Sequence, residues 1–233
     1  MPDDRIALIT GTRKGIGRHL AQRYAEKGLQ VIGCSRRNPE FKNANYHHFC
    51  LDVTDEKAVK QMFFDIKKTF GTLHILVNNA GIASMNFALF SPLETVRKIY
   101  DTNLVAAFLF CREAALLMKK NRFGRIINLT TVAVPFKLEG ESAYASSKAA
   151  LISLTEILAR EFAEFGVTVN AVGPTPIKTD LIRNVPEGKI QTLIDRQAIR
   201  RFGEFSDVTN VVDFYIQPES DFVTGQTLFL GGA

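Results

Sequence analysis

The 233 residues, 46% hydrophobic and 23% charged, fit one globular α/β domain of 1–233 with a sizeable core. No apolar run reaches the roughly 18 residues of a membrane span, and the N-terminus reads without a secretory h-region, so no membrane partner is expected. The net charge is +5, but the basic residues lie in scattered pairs (Arg13-Lys14, Arg36-Arg37, Lys67-Lys68, Lys119-Lys120, Arg200-Arg201) rather than in one stripe, which argues against a nucleic-acid partner.

In chain order, residues 5–10 read as a short buried strand. Gly11-Thr-Arg-Lys-Gly15-Ile-Gly17 follows, then an amphipathic helix through Lys27, a stop at Gly28 and a second strand at 31–34. This β-α-β opening places glycines where a helix N-terminus presents free N–H groups to a pyrophosphate. Residues 38–45 are polar and irregular, and 46–51 form the next strand. A helix over 55–70 buries Val59, Met62, Phe63, Ile66 and Phe70 at the 3.6 period, with Thr54 as N-cap and Gly71 as stop.

A buried strand at 75–78, a long helix over 93–120 and a strand at 125–129 come next. The helix of 143–164 carries Tyr144 and Lys148, and a strand follows at 168–172. Ser206 caps a last helix with Val208, Val211, Val212, Tyr215 and Ile216 inward, and residues 227–230 close the sheet. The alternation predicts one Rossmann-type, doubly wound parallel sheet of about seven strands with helices on both faces and its ligand at the carboxyl ends. Cys34, Cys50 and Cys111 are odd in number, widely spaced and without a metal-ligand pattern. They read as buried free thiols of a reducing, cytoplasmic setting, and no metal is expected.

Tyr144 and Lys148 stand four apart, on one face of their helix. An ammonium beside a phenol favours phenolate, so the expected phenol pKa falls from about 10 toward neutrality. Charge also predicts the cofactor. After the second strand, where a carboxylate selects NAD, the chain reads Ser35-Arg36-Arg37, with Arg13 and Lys14 facing it from the glycine loop. Guanidinium groups bind a 2′-phosphate that a carboxylate repels, so NADP(H) is the expected cofactor.

Five motifs in order over nearly the whole chain are similar to those of the short-chain dehydrogenase/reductase family: Thr10 to Gly17, Asn78-Asn-Ala-Gly81, Asn103, Tyr144 with Lys148, and Asn170-Ala-Val-Gly-Pro174. The resemblance implies hydride transfer between a nicotinamide cofactor and a carbonyl. Tyr144 would be proton donor, Lys148 ribose ligand and phenol partner, and Asn103 holder of a relay water. It implies cofactor contacts at Gly11, Thr12, Arg13, Lys14, Gly15, Ile16 and Gly17, at Ser35, Arg36, Asp52 (adenine) and Val53, at Asn79, Ala80 and Gly81, and at Pro174, Ile177 and Thr179.

Three departures from the family stand out. Thr131 takes the place of the serine thirteen residues before the tyrosine, retaining the hydroxyl. Thr175 replaces a glycine after the proline. The 36–52 segment is too short for the helix that usually lies there, so a loop is expected.

Lid and pocket are expected from residues 83–90, 132–141 and 177–202, mixing Phe87, Phe90, Phe136, Leu138, Leu181 and Ile182 with Lys137, Lys178, Arg183 and Lys189. An apolar slot rimmed by cations suits an acyl chain on an acidic carrier protein. The pattern looks most like bacterial 3-oxoacyl-[acyl-carrier-protein] reductases. A sugar, polyol or small natural-product ketone is the alternative substrate, and a dinucleotide-binding regulator without turnover is the alternative class. Resemblance further implies a homodimer or homotetramer paired through the helices that carry Asn103 and Tyr144.

Overall fold

Alternation along the first strand divides the molecule into layers. In β1 (Ile6–Thr10), Ile6 and Leu8 join one buried apolar cluster, and Ala7 and Ile9 another on the opposite face. α2 (Glu56–Phe70), α4 (Ala106–Met118) and α6 (Ser142–Glu161) close the first cluster, and α1 (Gly15–Glu26) and α8 (Phe205–Ile216) close the second. A strand covered on both faces has no solvated side to alternate toward, so it reads as an unbroken apolar run. The computed structural model describes residues 4–180, 182 and 185–233.

The other strands are β2 (Gln30–Ser35), β3 (Tyr46–Cys50), β4 (Ile75–Asn78), β5 (Gly124–Leu129), β6 (Val167–Gly173) and β7 (Thr227–Phe229). All pair in parallel in the order β3-β2-β1-β4-β5-β6-β7, the doubly wound sheet expected. Winding reverses between β1 and β4, and their carboxyl ends open the crevice where a ligand binds in such sheets. Residues 36–45 run from β2 to β3 without a helix, as their length predicts. Among the described residues, no helix is long and apolar enough to cross a membrane.

Several local expectations are corrected. The helix expected over 93–120 is three segments: α3 (Leu93–Tyr100), a π-helical turn (Asp101–Val105) and α4. The wide turn coincides with a side-chain clamp. Asn103 Oδ1 accepts from the Ile82 N–H, and its Nδ2 donates to the Ile82 carbonyl, each at 2.9 Å, and to Ser147 Oγ at 3.1 Å. π-turns are uncommon and recur at functional sites.

The cap of α2 is Asp55, not Thr54. The Asp55 carboxylate accepts from the Ala58 N–H at 3.1 Å, while the Thr54 hydroxyl donates to Asp52. Helix α8 starts from Glu204 in a capping box with Asp207, not from Ser206, which already lies inside the helix. Two short helices, α5 (Ala133–Phe136) and α7 (Glu187–Asp195), had no sequence expectation. All three cysteines are free, but Cys50 is exposed on the edge strand rather than buried.

Candidate active site

The glycine loop is built for close approach. Gly11 and Gly15 hold positive φ angles of 74° and 62°, which side chains rarely adopt. Gly17 is helical, but a Cβ there would stand 2.4 Å from Asn79 Nδ2 and 2.6 Å from the Gly11 carbonyl oxygen. The first turn of α1 holds no acidic residue, and Lys14 makes no side-chain cap, which leaves a helix N-terminus suited to a pyrophosphate.

Asn79 stitches the two carboxyl ends together, donating from Nδ2 to the Thr10 carbonyl at 2.8 Å and from its backbone to Thr10 Oγ1 at 3.0 Å. The Ala80 N–H donates to the same hydroxyl at 2.9 Å. The residues present therefore fit a dinucleotide: a glycine cradle that any Cβ at position 17 would fill lies at the switch point of the sheet.

Arg13 in the glycine loop and Arg36 and Arg37 after Ser35 are exposed. Lys14 does not face them, because its ammonium pairs with Asp180. The Thr12 side chain is buried and turns toward Tyr46, and its backbone N–H donates to the Cys34 carbonyl at 3.3 Å. Burial raises the Asp52 carboxyl, but hydrogen bonds from the Thr54 N–H and hydroxyl outweigh that and hold it below the usual carboxylate range. Val53 packs into the core beneath it.

Tyr144, Lys148, Thr131 and Asn103 converge, all buried. Lys148 Nζ donates to the Leu129 carbonyl at 2.6 Å. A methyl on Gly81 would stand 3.5 Å from that nitrogen and 3.2 Å from Asn103 Oδ1. Thr131 Oγ1 accepts from the Ala133 N–H at 3.2 Å, and the Thr131 side chain hydrogen-bonds the Tyr144 phenol. The Asn103 amide is committed to Ile82 and Ser147. Its side chain braces the 82 backbone against α6.

The expected fall in the phenol pKa is reversed in this geometry. Burial pushes Tyr144 up to about 12, opposed by the Thr131 hydrogen bond and reinforced by the Glu141 carboxylate. Burial lowers Lys148 to about 8. Desolvation penalises charge in both, so each side chain is driven toward its neutral form.

Tyr144, Lys148 and Thr131 line a cavity of about 810 Å³. Ile16, Asn79, Gly81, Pro174, Ile177 and Thr179, each expected to touch the cofactor, line it too. Phe136, Leu138, Ile182, Lys137 and Lys189 enter its outer part. Phe87 and Phe90 are exposed instead, and Lys178 lies over the Phe202 ring at 4.9 Å. Leu181 and Arg183 lie outside the described residues. The Thr175 methyl packs where a Cβ on Gly203 would come within 2.6 Å, so the glycine missing after Pro174 is balanced by one across the loop.

One lining residue, at the end of the expected 132–141 stretch, had no role of its own in the sequence reading. Glu141, three positions before Tyr144, is 8% exposed; its Oε2 has no hydrogen-bond partner, and burial raises its pKa, opposed by Lys189. Its i, i+3 spacing from the tyrosine was the available signal.

A switch-point glycine cradle next to a Tyr–Lys pair defines an oxidoreductase of the CH-OH/C=O type with a nicotinamide dinucleotide cofactor. The chain belongs to the short-chain dehydrogenase/reductase family, and a family model described as enoyl-(acyl carrier protein) reductase matches residues 11–232. It is 34% identical to the 3-oxoacyl-[acyl-carrier-protein] reductase FabG of Escherichia coli (strain K12) over 236 aligned residues, 99% of this chain and 97% of that protein.

Among solved structures, the aldohexose dehydrogenase of Thermoplasma acidophilum superposes with a TM-score of 0.89 at 32% identity, covering 98% of this chain and 93% of that one. A 4-hydroxyisoleucine dehydrogenase complexed with NADH gives 0.87 at 27% identity, covering 98% of both chains.

Proposed function

We propose that the chain is an NADP(H)-dependent reductase acting on a 3-oxoacyl thioester carried by an acyl carrier protein. The observation that carries the reaction is the meeting of Tyr144, Thr131 and Lys148 on one cavity wall beside the glycine cradle. Full-length similarity to 3-oxoacyl-[acyl-carrier-protein] reductases supports the substrate. Lys137 and Lys189 at the outer cavity suit an acidic carrier.

When bound, the reduced dinucleotide supplies a hydride to the carbonyl carbon. With substrate bound, the Tyr144 and Thr131 hydroxyls would each donate to the carbonyl oxygen. A phenol near 12 stays protonated at neutral pH and gives up its proton only as alkoxide character develops. Lys148, still mostly charged at neutral pH, stabilises the phenolate left behind. Thr131→Ala removes one of two donors and is expected to lower kcat by about 10²-fold, the cost of a lost oxyanion-type donor. Steady-state assay of the variant measures it, and an unchanged rate removes Thr131 from the mechanism.

The cofactor reading rests on Ser35, Arg36 and Arg37, a turn with no carboxylate to repel a 2′-phosphate. Arg36→Asp is expected to weaken NADPH by about tenfold or more while NADH changes little, since only the former loses a charge-assisted contact. Equal losses in paired titrations contradict that reading. Phe108 and Leu116 on α4, Val105 in the turn before it and Ile157 on α6 are exposed, which supports a homodimer or homotetramer paired through these helices. A cytoplasmic location accords with three free thiols.

A second reading is favoured by Glu141. A buried carboxylate oxygen without a partner is costly, and a hydroxyl on a sugar- or polyol-like ketone would satisfy it. Activity on acetoacetyl thioester and on hydroxyketones, before and after Glu141→Gln, separates the two. The thioester reading predicts turnover of the thioester that survives the substitution. Turnover confined to hydroxyketones and lost with Glu141 overturns it.

A further inference from the structure

A chain of side-chain hydrogen bonds links the glycine loop to the arginine turn, and the proposed chemistry makes no use of it. Thr12 Oγ1 lies 2.8 Å from the Tyr46 phenol oxygen, which lies 2.8 Å from His48 Nδ1. His48 Nε2 lies 3.2 Å from Ser35 Oγ, and the Ser35 hydroxyl donates to the Arg37 carbonyl at 2.7 Å.

The fold makes room for this chain at one place. Tyr46 and His48 are two apart on β3 and share a face. β2 separates them from the glycine loop, and the phenol passes at Gly33, where a Cβ would stand 2.1 Å from the Tyr46 hydroxyl and 2.5 Å from Thr12 Oγ1.

The last bond sets the direction of the others. Because the Ser35 hydroxyl gives its proton to Arg37, its oxygen is left to accept from a protonated Nε2 of His48. Burial lowers the His48 pKa and favours the neutral ring, so Nδ1 accepts from the Tyr46 hydroxyl. The Tyr46 oxygen then accepts from Thr12. Every donor points the same way, from the glycine loop to the arginine turn, an arrangement in which each bond polarises the next.

The turn needs such support. Residues 36–45 contain no helix, and the Arg36 and Arg37 side chains are exposed. Besides Ser35, the Cys50 thiol touches the turn, at 3.2 Å from the Arg36 carbonyl. Two-pronged guanidinium recognition of a phosphate depends on where the fork is aimed.

We propose that Tyr46 and His48 are positioning residues that hold the Ser35–Arg37 turn in the shape that receives a 2′-phosphate, and so set the discrimination between the two nicotinamide dinucleotides. This rests on the NADP(H) reading given above.

Fluorescence titrations of NADPH and NADH against wild type, Tyr46→Phe, His48→Phe and His48→Gln test it. Tyr46→Phe keeps the ring packed on Phe41, 4.4 Å away, and deletes only the hydroxyl. Tyr46→Phe and His48→Phe are expected to weaken NADPH by about tenfold while NADH stays within about twofold, the scale of one lost hydrogen bond in a charge-binding turn. His48→Gln keeps an N–H for Ser35 and is expected to recover most of the loss. His48 sits on an edge strand, so its two variants decide the matter should Tyr46→Phe misfold.

Wild type that binds NADH as tightly as NADPH overturns the cofactor reading and this inference with it. A wild-type preference for NADPH that both His48 variants retain, or losses equal for the two dinucleotides, overturns the inference alone.

Discussion

Replacing Tyr144 with phenylalanine is expected to lower turnover by about a thousandfold while dinucleotide affinity stays within about twofold, the signature of a lost general acid. The hydroxyl is the group removed, and the ring keeps its place in the cavity wall. Its hydrogen bond with Thr131 goes too, but that bond is worth only about 1 kcal/mol of stability. The comparison that matters is kcat against cofactor Kd in the same preparation. Equal damage to both would mean that the substitution disturbs the wall and that the phenol carries no proton.

Gly17→Ala is expected to weaken either dinucleotide by about a hundredfold. Alanine in a helix gains about 1 kcal/mol over glycine in propensity, so local preference alone predicts a more stable protein. The added methyl instead meets Asn79 Nδ2 at 2.4 Å and the Gly11 backbone oxygen at 2.6 Å. Neither can move freely, since Asn79 ties β4 to β1 through Thr10. Overpacking of this kind costs about 1–3 kcal/mol and opens the cradle where the pyrophosphate is held. Calorimetric titration with denaturant unfolding on the same variant checks both halves. A variant that binds normally and unfolds later than wild type would show that the close approach is dispensable.

What the chain announces and what it conceals divide along a physical line. The seven strands, the glycine loop and the Tyr144–Lys148 face were legible because each is set by contacts within a few residues, by period or by spacing. The π-turn at Asp101–Val105 was not, because the clamp that coincides with it, Asn103 on Ile82, joins residues 21 apart in sequence. Caps at Asp55 and Glu204 were each assigned to a neighbouring hydroxyl residue, since short polar side chains side by side compete for the same N–H groups.

The phenol pKa had the wrong sign because sequence spacing places a charge beside a group without telling how much water remains around it. Glu141 and the Thr12–Tyr46–His48–Ser35 chain share that cause. The chain depends on partners from other strands, and the i, i+3 spacing of Glu141 from Tyr144 does not tell that its carboxylate is buried.

The most direct test is transfer of label. Wild-type protein is supplied with NADPH deuterated on the transferred face and with acetoacetyl thioester, and the product is read by mass spectrometry and NMR. One deuterium on the new carbinol carbon, with the hydroxyl proton drawn from solvent, and loss of that product in Tyr144→Phe, is the result predicted. Label that stays on the dinucleotide with every carbonyl offered, or a product formed equally well without the tyrosine hydroxyl, would contradict the account.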